Sequence, residues 1–155
     1  MNEWYDDFVA AYQASHKVTF YVALWLYTKW DVDICVPKKR IMPRDGDYRD
    51  YSDSCDLIAN GKKIEVKHKK KHHFTDKDNY PFPSMMLAGA NHIEKHWNET
   101  HAYIIVNDDM THVFVVKSDT KQNWWKDKTK AYNRDYKEMY YYCNIDDGKF
   151  YNITL

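Results

Sequence analysis

CDLIANGKKIEVKHKKKHHF, residues 55–74, contains a two-residue turn between two strand-like runs, and its reading decides the fold. Asn60-Gly61 is the dipeptide most favoured in a type I′ hairpin turn, where both central residues need φ > 0. The stretch therefore predicts antiparallel strands over about Ser54–Ala59 and Lys62–Lys69. So short a turn sets the register: Ala59 faces Lys62, Ile58 faces Lys63, Leu57 faces Ile64, and Asp56 faces Glu65. Side chains alternate along a strand, so Ile64 and Val66 share one face with Leu57, while Glu65 and Lys67 share the other with Asp56.

Directly opposed side chains have Cβ atoms about 4.5–5.5 Å apart, and like charges in that position destabilise a sheet unless something compensates. A cation compensates. Two converging carboxylates, with backbone carbonyls and water, form the hard oxygen environment that suits Mg2+, with Mn2+ as a substitute. Lys67 adds a fixed positive charge beside that position.

Working outward, Trp4, Phe8, Ala11, Val18, Val22 and Trp25 recur at helical spacing, which predicts one long helix or two abutting ones from residue 3 to about 29. Val32, Ile34 and Val36 alternate with polar neighbours before Pro37 and predict a short strand. The segment from Lys38 to Tyr51, with Pro43 and Gly46, reads as a polar loop. Beyond the hairpin, Ser84 is placed to cap a helix whose Met86, Ala90, Ile93 and Trp97 share one face. AYIIV and HVFVV, divided by the turn NDDM, predict two strands, the first buried on both faces. WWKDKTKAYNRDYKEMYYY fits helix or aromatic strand equally, and DDGK reads as the turn between the last two strands. The expected fold is α/β (α+β), a mixed central sheet flanked by helices in the order α-β-β-β-α-β with C-terminal additions. A crossover helix predicts one parallel pair among antiparallel ones.

The 155 residues fit a single domain, 1–155, of ordinary core size. Composition is 44% hydrophobic and 17% aromatic with four Gly and four Pro, which excludes disorder. Acids and bases balance at 23 each, so nucleic-acid binding must come from local clustering. Cys35, Cys55 and Cys143 are odd in number and lack zinc-site spacing, which predicts free thiols in a reducing compartment. The acidic start MNEWYDD lacks the basic region of a secretory signal. The apolar run VTFYVALWLY is half the roughly 20 residues of a membrane span. It reads as a buried helix segment, so no membrane partner is expected. The expected location is the cytoplasm of a bacterium or a phage-infected cell, in keeping with a lysine-heavy composition.

Asp56, then Glu65 and Lys67 separated by one residue, on two adjacent strands after an amino-terminal helix, resembles the PD-(D/E)xK nuclease superfamily, the restriction-endonuclease-like fold. The similarity spans roughly residues 3–117 in element order. Cys55 stands where the motif's proline would be, and that proline does no chemistry. The resemblance implies a Mg2+-dependent endonuclease that hydrolyses phosphodiester bonds in DNA, while the same chemistry leaves RNA open. It implies that Asp56, Glu65 and the backbone carbonyl of Val66 hold the metal, and that Lys67 assists the attacking water. A further ligand from the first helix falls to Glu3, with Asp6 and Asp7 as substitutes. It also implies that His92 or Asn91 of the second helix touches substrate. Duplex cleavage by one centre per chain favours a homodimer. The alternative is an inactive nucleic-acid-binding or structural protein that keeps the fold.

Residues 62–73 hold six lysines against one glutamate. A lysine run is usually a solvated face. Beside a phosphodiesterase centre, Lys63, His68, Lys69, Lys70, Lys71, His72 and His73 become candidates for phosphate contact. Adjacent His72 and His73 point apart and do not chelate together. His92 and His96, four apart on the predicted helix, form a better chelating pair but lack a third ligand nearby in sequence. Asp53, a rival for the motif's acid, falls on the opposite face from Asp56. Trp124, Trp125, Tyr132, Tyr136 and Tyr140 to Tyr142 suit base stacking or core packing equally.

Overall fold

The structure is a computed structural model that describes residues 3–47, 55–130 and 136–155. Asp53 and Tyr132, both named above, lie outside the described residues. A single 28-residue helix, α1 (Glu3–Trp30), opens the chain. Glu3 and Asp6 in its first turn and Lys29 in its last complement the helix dipole. Asp31, at φ 51°, ends it in the left-handed conformation and donates its N–H to the Tyr27 carbonyl at 3.0 Å. Val18, Val22, Ala23, Trp25 and Leu26 are buried, while Phe20, Leu24 and Tyr27 are exposed. The apolar run is thus one buried stripe on an otherwise exposed helix. No helix among the described residues is long and apolar enough to cross a membrane.

Strands β1 (Ile34–Cys35), β2 (Leu57–Ala59) and β3 (Lys62–His68) follow. β2 and β3 pair antiparallel, with Leu57 opposite Ile64, Ile58 opposite Lys63 and Ala59 opposite Lys62. This is the register the turn predicts, and Asn60 (φ 49°) and Gly61 (φ 78°) carry the positive dihedrals of the type I′ geometry. Asn60 also secures β1, since its Oδ1 accepts the Asp33 N–H and its N–H donates to the Asp33 carbonyl, both at 2.8 Å.

The next segment corrects the sequence reading. Ser84 caps no helix; it opens strand β4 (Ser84–Gly89), and the helix α2 (Ala90–Lys95) that follows is only six residues long. The helical pattern through Met86 and Ala90 lost to alternation, because Met85 and Leu87 are buried while β4 pairs antiparallel with β8 (Lys137–Asn144). β5 (Thr100–Val106) and β6 (His112–Lys117) match AYIIV and HVFVV, and β5 is buried along almost its whole length. The ambiguous C-terminal segment is strand, β7 (Trp125–Lys130) and β8, and β9 (Lys149–Asn152) closes the chain. The element order therefore gains a strand, β4, between the hairpin and the second helix.

Six strands form one mixed sheet in the order β1-β2-β3-β5-β6-β9, and three form a second in the order β4-β8-β7. Among the described pairings, β3 and β5 alone are parallel. α1 covers one face of the large sheet, where Val22 and Trp25 pack with Leu57, Ile64, Val66 and Ile104. The small sheet and α2 cover the other, where Met85, Leu87, Ile93 and Cys143 pack with Tyr103, Ile105 and Phe114. The layers are helix, sheet, sheet. The three cysteines form no disulfide. β7, an edge strand, reads WKDKTK, and its charged side chains discourage pairing with another chain.

The Asn60-Gly61 turn sets everything downstream on β3. A Cβ at Gly61 meets nothing within 4 Å, so Gly61→Ala tests the backbone conformation alone. It is expected to cost about 1–2 kcal/mol in urea denaturation, with an unchanged m-value.

Candidate functional site

Asp56 immediately precedes β2, and Glu65 and Lys67 sit at alternate positions of β3, on the face turned towards the small sheet. Burial is deep: the Glu65 side chain is 4% exposed, and that of Asp56 is 25% exposed. Asp56 Oδ2 accepts the Val66 N–H at 2.8 Å, replacing the strand partner that β2 no longer supplies. The N–H and C=O of one strand residue project towards the same neighbouring strand, so the Val66 carbonyl also faces the Asp56 edge. The two carboxyl groups come within hydrogen-bonding range of each other. Lys67 Nζ lies 3.3 Å from Glu65 Oε2, and Lys39 Nζ lies 3.7 Å from Asp56 Oδ1.

α2 brings His92 to the same place. Its Nε2 is buried 3.4 Å from Glu65 Oε2 and makes no hydrogen bond. His96 turns to Glu99, with Nδ1 3.0 Å from Oε2, so the two histidines serve different carboxylates although their rings lie 4.9 Å apart.

These neighbours divide the two acids. Burial and the charge of Glu65 push Asp56 up to about 6, against the lowering influence of Lys67 and the Val66 N–H. Burial also opposes ionisation of Glu65, but His92 and Lys67 outweigh it and hold this carboxyl down to about 2. Between about pH 2 and about pH 6 the pair thus keeps one proton, held on Asp56.

Two carboxylates, a backbone carbonyl and a buried imidazole nitrogen without a hydrogen-bond partner fit a divalent cation. The oxygens suit Mg2+, and the imidazole makes Mn2+ at least as suitable. The residues that would hold it are Asp56, Glu65, Val66 through its carbonyl, and His92. Glu3 is not brought into this group: it opens α1 at an exposed position, and the buried part of that helix lies on the Ile64 and Val66 side of the sheet. Asp6 pairs with Arg44 at 2.8 Å.

The basic tract disperses. Lys63 shares the face of Glu65 but pairs with Glu99 at 3.7 Å. His68 bonds the Asp108 carbonyl at 3.1 Å and, with Lys69, Lys70, Lys71 and His72, lines a recess between the two sheets. His73 turns away and bonds Asp108 Oδ1 at 2.8 Å. With Asp109 these form an exposed trio whose ligand atoms lie within 4.8 Å of one another. Asp109 is already bonded to the Thr111 hydroxyl at 2.6 Å. Trp124 is a core residue, packed edge-on against Trp97 and Tyr103, whereas Trp125 and Tyr136 are exposed.

Sequence reasoning missed Lys39. It lies in a polar loop 17 residues before Asp56, and nothing in its spacing marks it. The approach of His92 to Glu65 had one signal, its place on a helix next to the hairpin. Compared with known proteins, the chain matches no protein-family model, no curated protein and no solved structure.

Asp56 ionises near 3.8 ordinarily and near 6 here, so its charge costs the folded state stability as pH rises between those values. In EDTA, Asp56→Asn is expected to stabilise the chain by on the order of 1–3 kcal/mol above pH 6, read as a higher Tm, with the gain gone below pH 3.8. Glu65 is the reverse case, its stabilising charge complete above 4.5 and lost towards 2, so Glu65→Gln lowers Tm at neutral pH. A divalent cation held by Asp56 would compete with its proton. Mg2+ or Mn2+ should therefore raise the Tm of the unaltered chain at pH 8 and much less at pH 5, and Asp56→Asn should remove the effect.

Proposed function

We propose that this chain is a metal-dependent endonuclease that hydrolyses phosphodiester bonds in DNA, on the restriction-endonuclease-like fold of the PD-(D/E)xK superfamily. One observation carries the reading: Asp56 and Glu65 converge in a buried pocket with the ammonium group of Lys67 3.3 Å from Glu65. Like-charged side chains are rarely buried together without a purpose, because burial and repulsion both oppose their ionisation. The element order adds support, since an amino-terminal helix precedes an antiparallel hairpin whose second strand pairs parallel with β5. β4 and the second sheet are additions to that order.

When bound, a divalent cation supplies a water of lowered pKa and polarises a phosphate oxygen. The residues do the rest. Asp56, Glu65 and the Val66 carbonyl bind the cation and set its position relative to the phosphate. Lys67, fixed by Glu65, orients the attacking water and stabilises negative charge building on the phosphorus oxygens. His92, whose Nε2 lies 3.4 Å from Glu65 Oε2, would add its imidazole to that set from α2, and Lys39 offsets the charge of Asp56. The lysines of residues 69–71 draw in the phosphate backbone.

On supercoiled plasmid, nicking is expected with Mg2+ or Mn2+ and not in EDTA, and Lys67→Ala should lower the rate by about 10²-fold or more. Equal nicking by both proteins would sink the assignment, and inactivity of both would favour the binding-protein alternative. Phosphate contacts also make binding salt-sensitive. Raising salt from about 50 to about 200 mM should weaken DNA binding by an order of magnitude or more, and a flat response would remove the lysine tract from the scheme.

A further inference from the structure

We infer that the proposed nuclease engages an unpaired DNA strand, laid in the recess that runs from Lys67 and His92, beside the acid pair, to Phe82. The inference rests on the nuclease reading for the chemistry and on independent geometry for the substrate. Two hollows form the recess. The smaller, about 400 Å³, is bordered by Lys67 and His92, both of which touch Glu65. The larger, about 970 Å³, extends to Tyr80, Phe82 and Tyr142. His68, Lys69 and Met86 border both, so one continuous path leaves the candidate centre.

Its lining is of two kinds. Lysines 69 to 71 follow β3 and Lys130 ends β7, and no carboxylate among the described residues borders either hollow. Among the described residues, no carboxylate pairs with Lys69, Lys70 or Lys130. Phe82 lines the same hollow, 49% exposed. Its ring is held by edge contacts with His72 at 5.9 Å and Tyr80 at 5.6 Å, so it is a fixed, solvent-facing apolar platform. Cationic and exposed aromatic side chains lining one recess match the two surfaces of a single strand, its phosphates and its open base faces. A duplex keeps its base faces stacked inside and shows only phosphates and groove edges, so the aromatic side chains would have nothing to bind. The volume is at the upper end of the about 300–1,000 Å³ range of ligand clefts, and a recess between two sheets admits a strand edgewise.

The test uses the full chain in EDTA, so that nothing is cut, with fluorescently labelled dT15 and a blunt duplex as probes in anisotropy titrations. The dT15 strand should bind about tenfold more tightly than the duplex, and Phe82→Ala should remove about tenfold of that affinity while leaving duplex binding unchanged. Phe82→Trp should restore it, and an oligonucleotide carrying 5-iododeoxyuridine should crosslink at Phe82 or Tyr142. Phe82 is half exposed, so its truncation leaves Tm close to that of the unaltered chain. Equal affinity for the two probes, or dT15 binding indifferent to Phe82→Ala, overturns the inference. Plasmid nicking that depends on Lys67 would then still stand by itself. Conversely, tight Phe82-dependent binding with Lys67-independent nicking would keep the recess and discard the nuclease.

Discussion

Two acidic side chains from neighbouring strands occupy one buried pocket, and most of what surrounds them answers that constraint. Asp56 and Glu65 are opposed because a two-residue turn allows one register, and the apolar partners Leu57, Ile64 and Val66 hold that register by their burial under α1. Shifting the pairing by one residue would put Glu65 among the apolar side chains under α1 and Val66 in the acid's place on the other face. Repulsion between the acids is met from three directions, by Lys67 on the same strand, Lys39 from the preceding loop and His92 from the crossover helix. The arrangement still leaves Asp56 reluctant to ionise. Such a site is destabilised relative to a neutral one, as expected where a pocket is shaped for binding rather than for stability.

The second sheet gives that pocket a neighbour. β4 interrupts the crossover between β3 and β5, pairs with β8, and roofs the face of the large sheet on which Glu65 and Lys67 stand. A long helix in the same place would have packed against Tyr103 and Ile105 directly. Where β4 begins, beside the end of β3, lies the recess bordered by residues 68–72 together with Tyr80, Phe82 and Tyr142. The smaller hollow is bordered by Lys67 and His92, whose side chains also contact Glu65, so the recess and the acid pair are neighbours through these two residues.

The basic tract shows how one stretch of charge separates once folded. Lys63 ends beside Glu99 and His73 beside Asp108, so each is committed to a local partner. Lys69, Lys70 and His72 line the recess instead. Counted as six lysines the tract looks uniform; its members differ by which side of the strand end they leave from and by what the loops after β5 place beside them.

The turn, the register, the shared face of Asp56, Glu65 and Lys67, the long first helix and the strands β5 and β6 were legible in the chain. Each depends on contacts between residues close in sequence or on alternation within one strand, and local chemistry suffices for those. β4 was not legible, because MMLAGANHI satisfies a helical period as well as a strand one, and the choice fell to pairing with tyrosines more than 50 residues later. Lys39, the seat of His92 and the recess were hidden for the same reason. By itself, the sequence determined that two acids and an amine would share one side of a hairpin; the tertiary structure decided what else meets them there, because burial and long-range pairing bring together side chains that no local spacing relates.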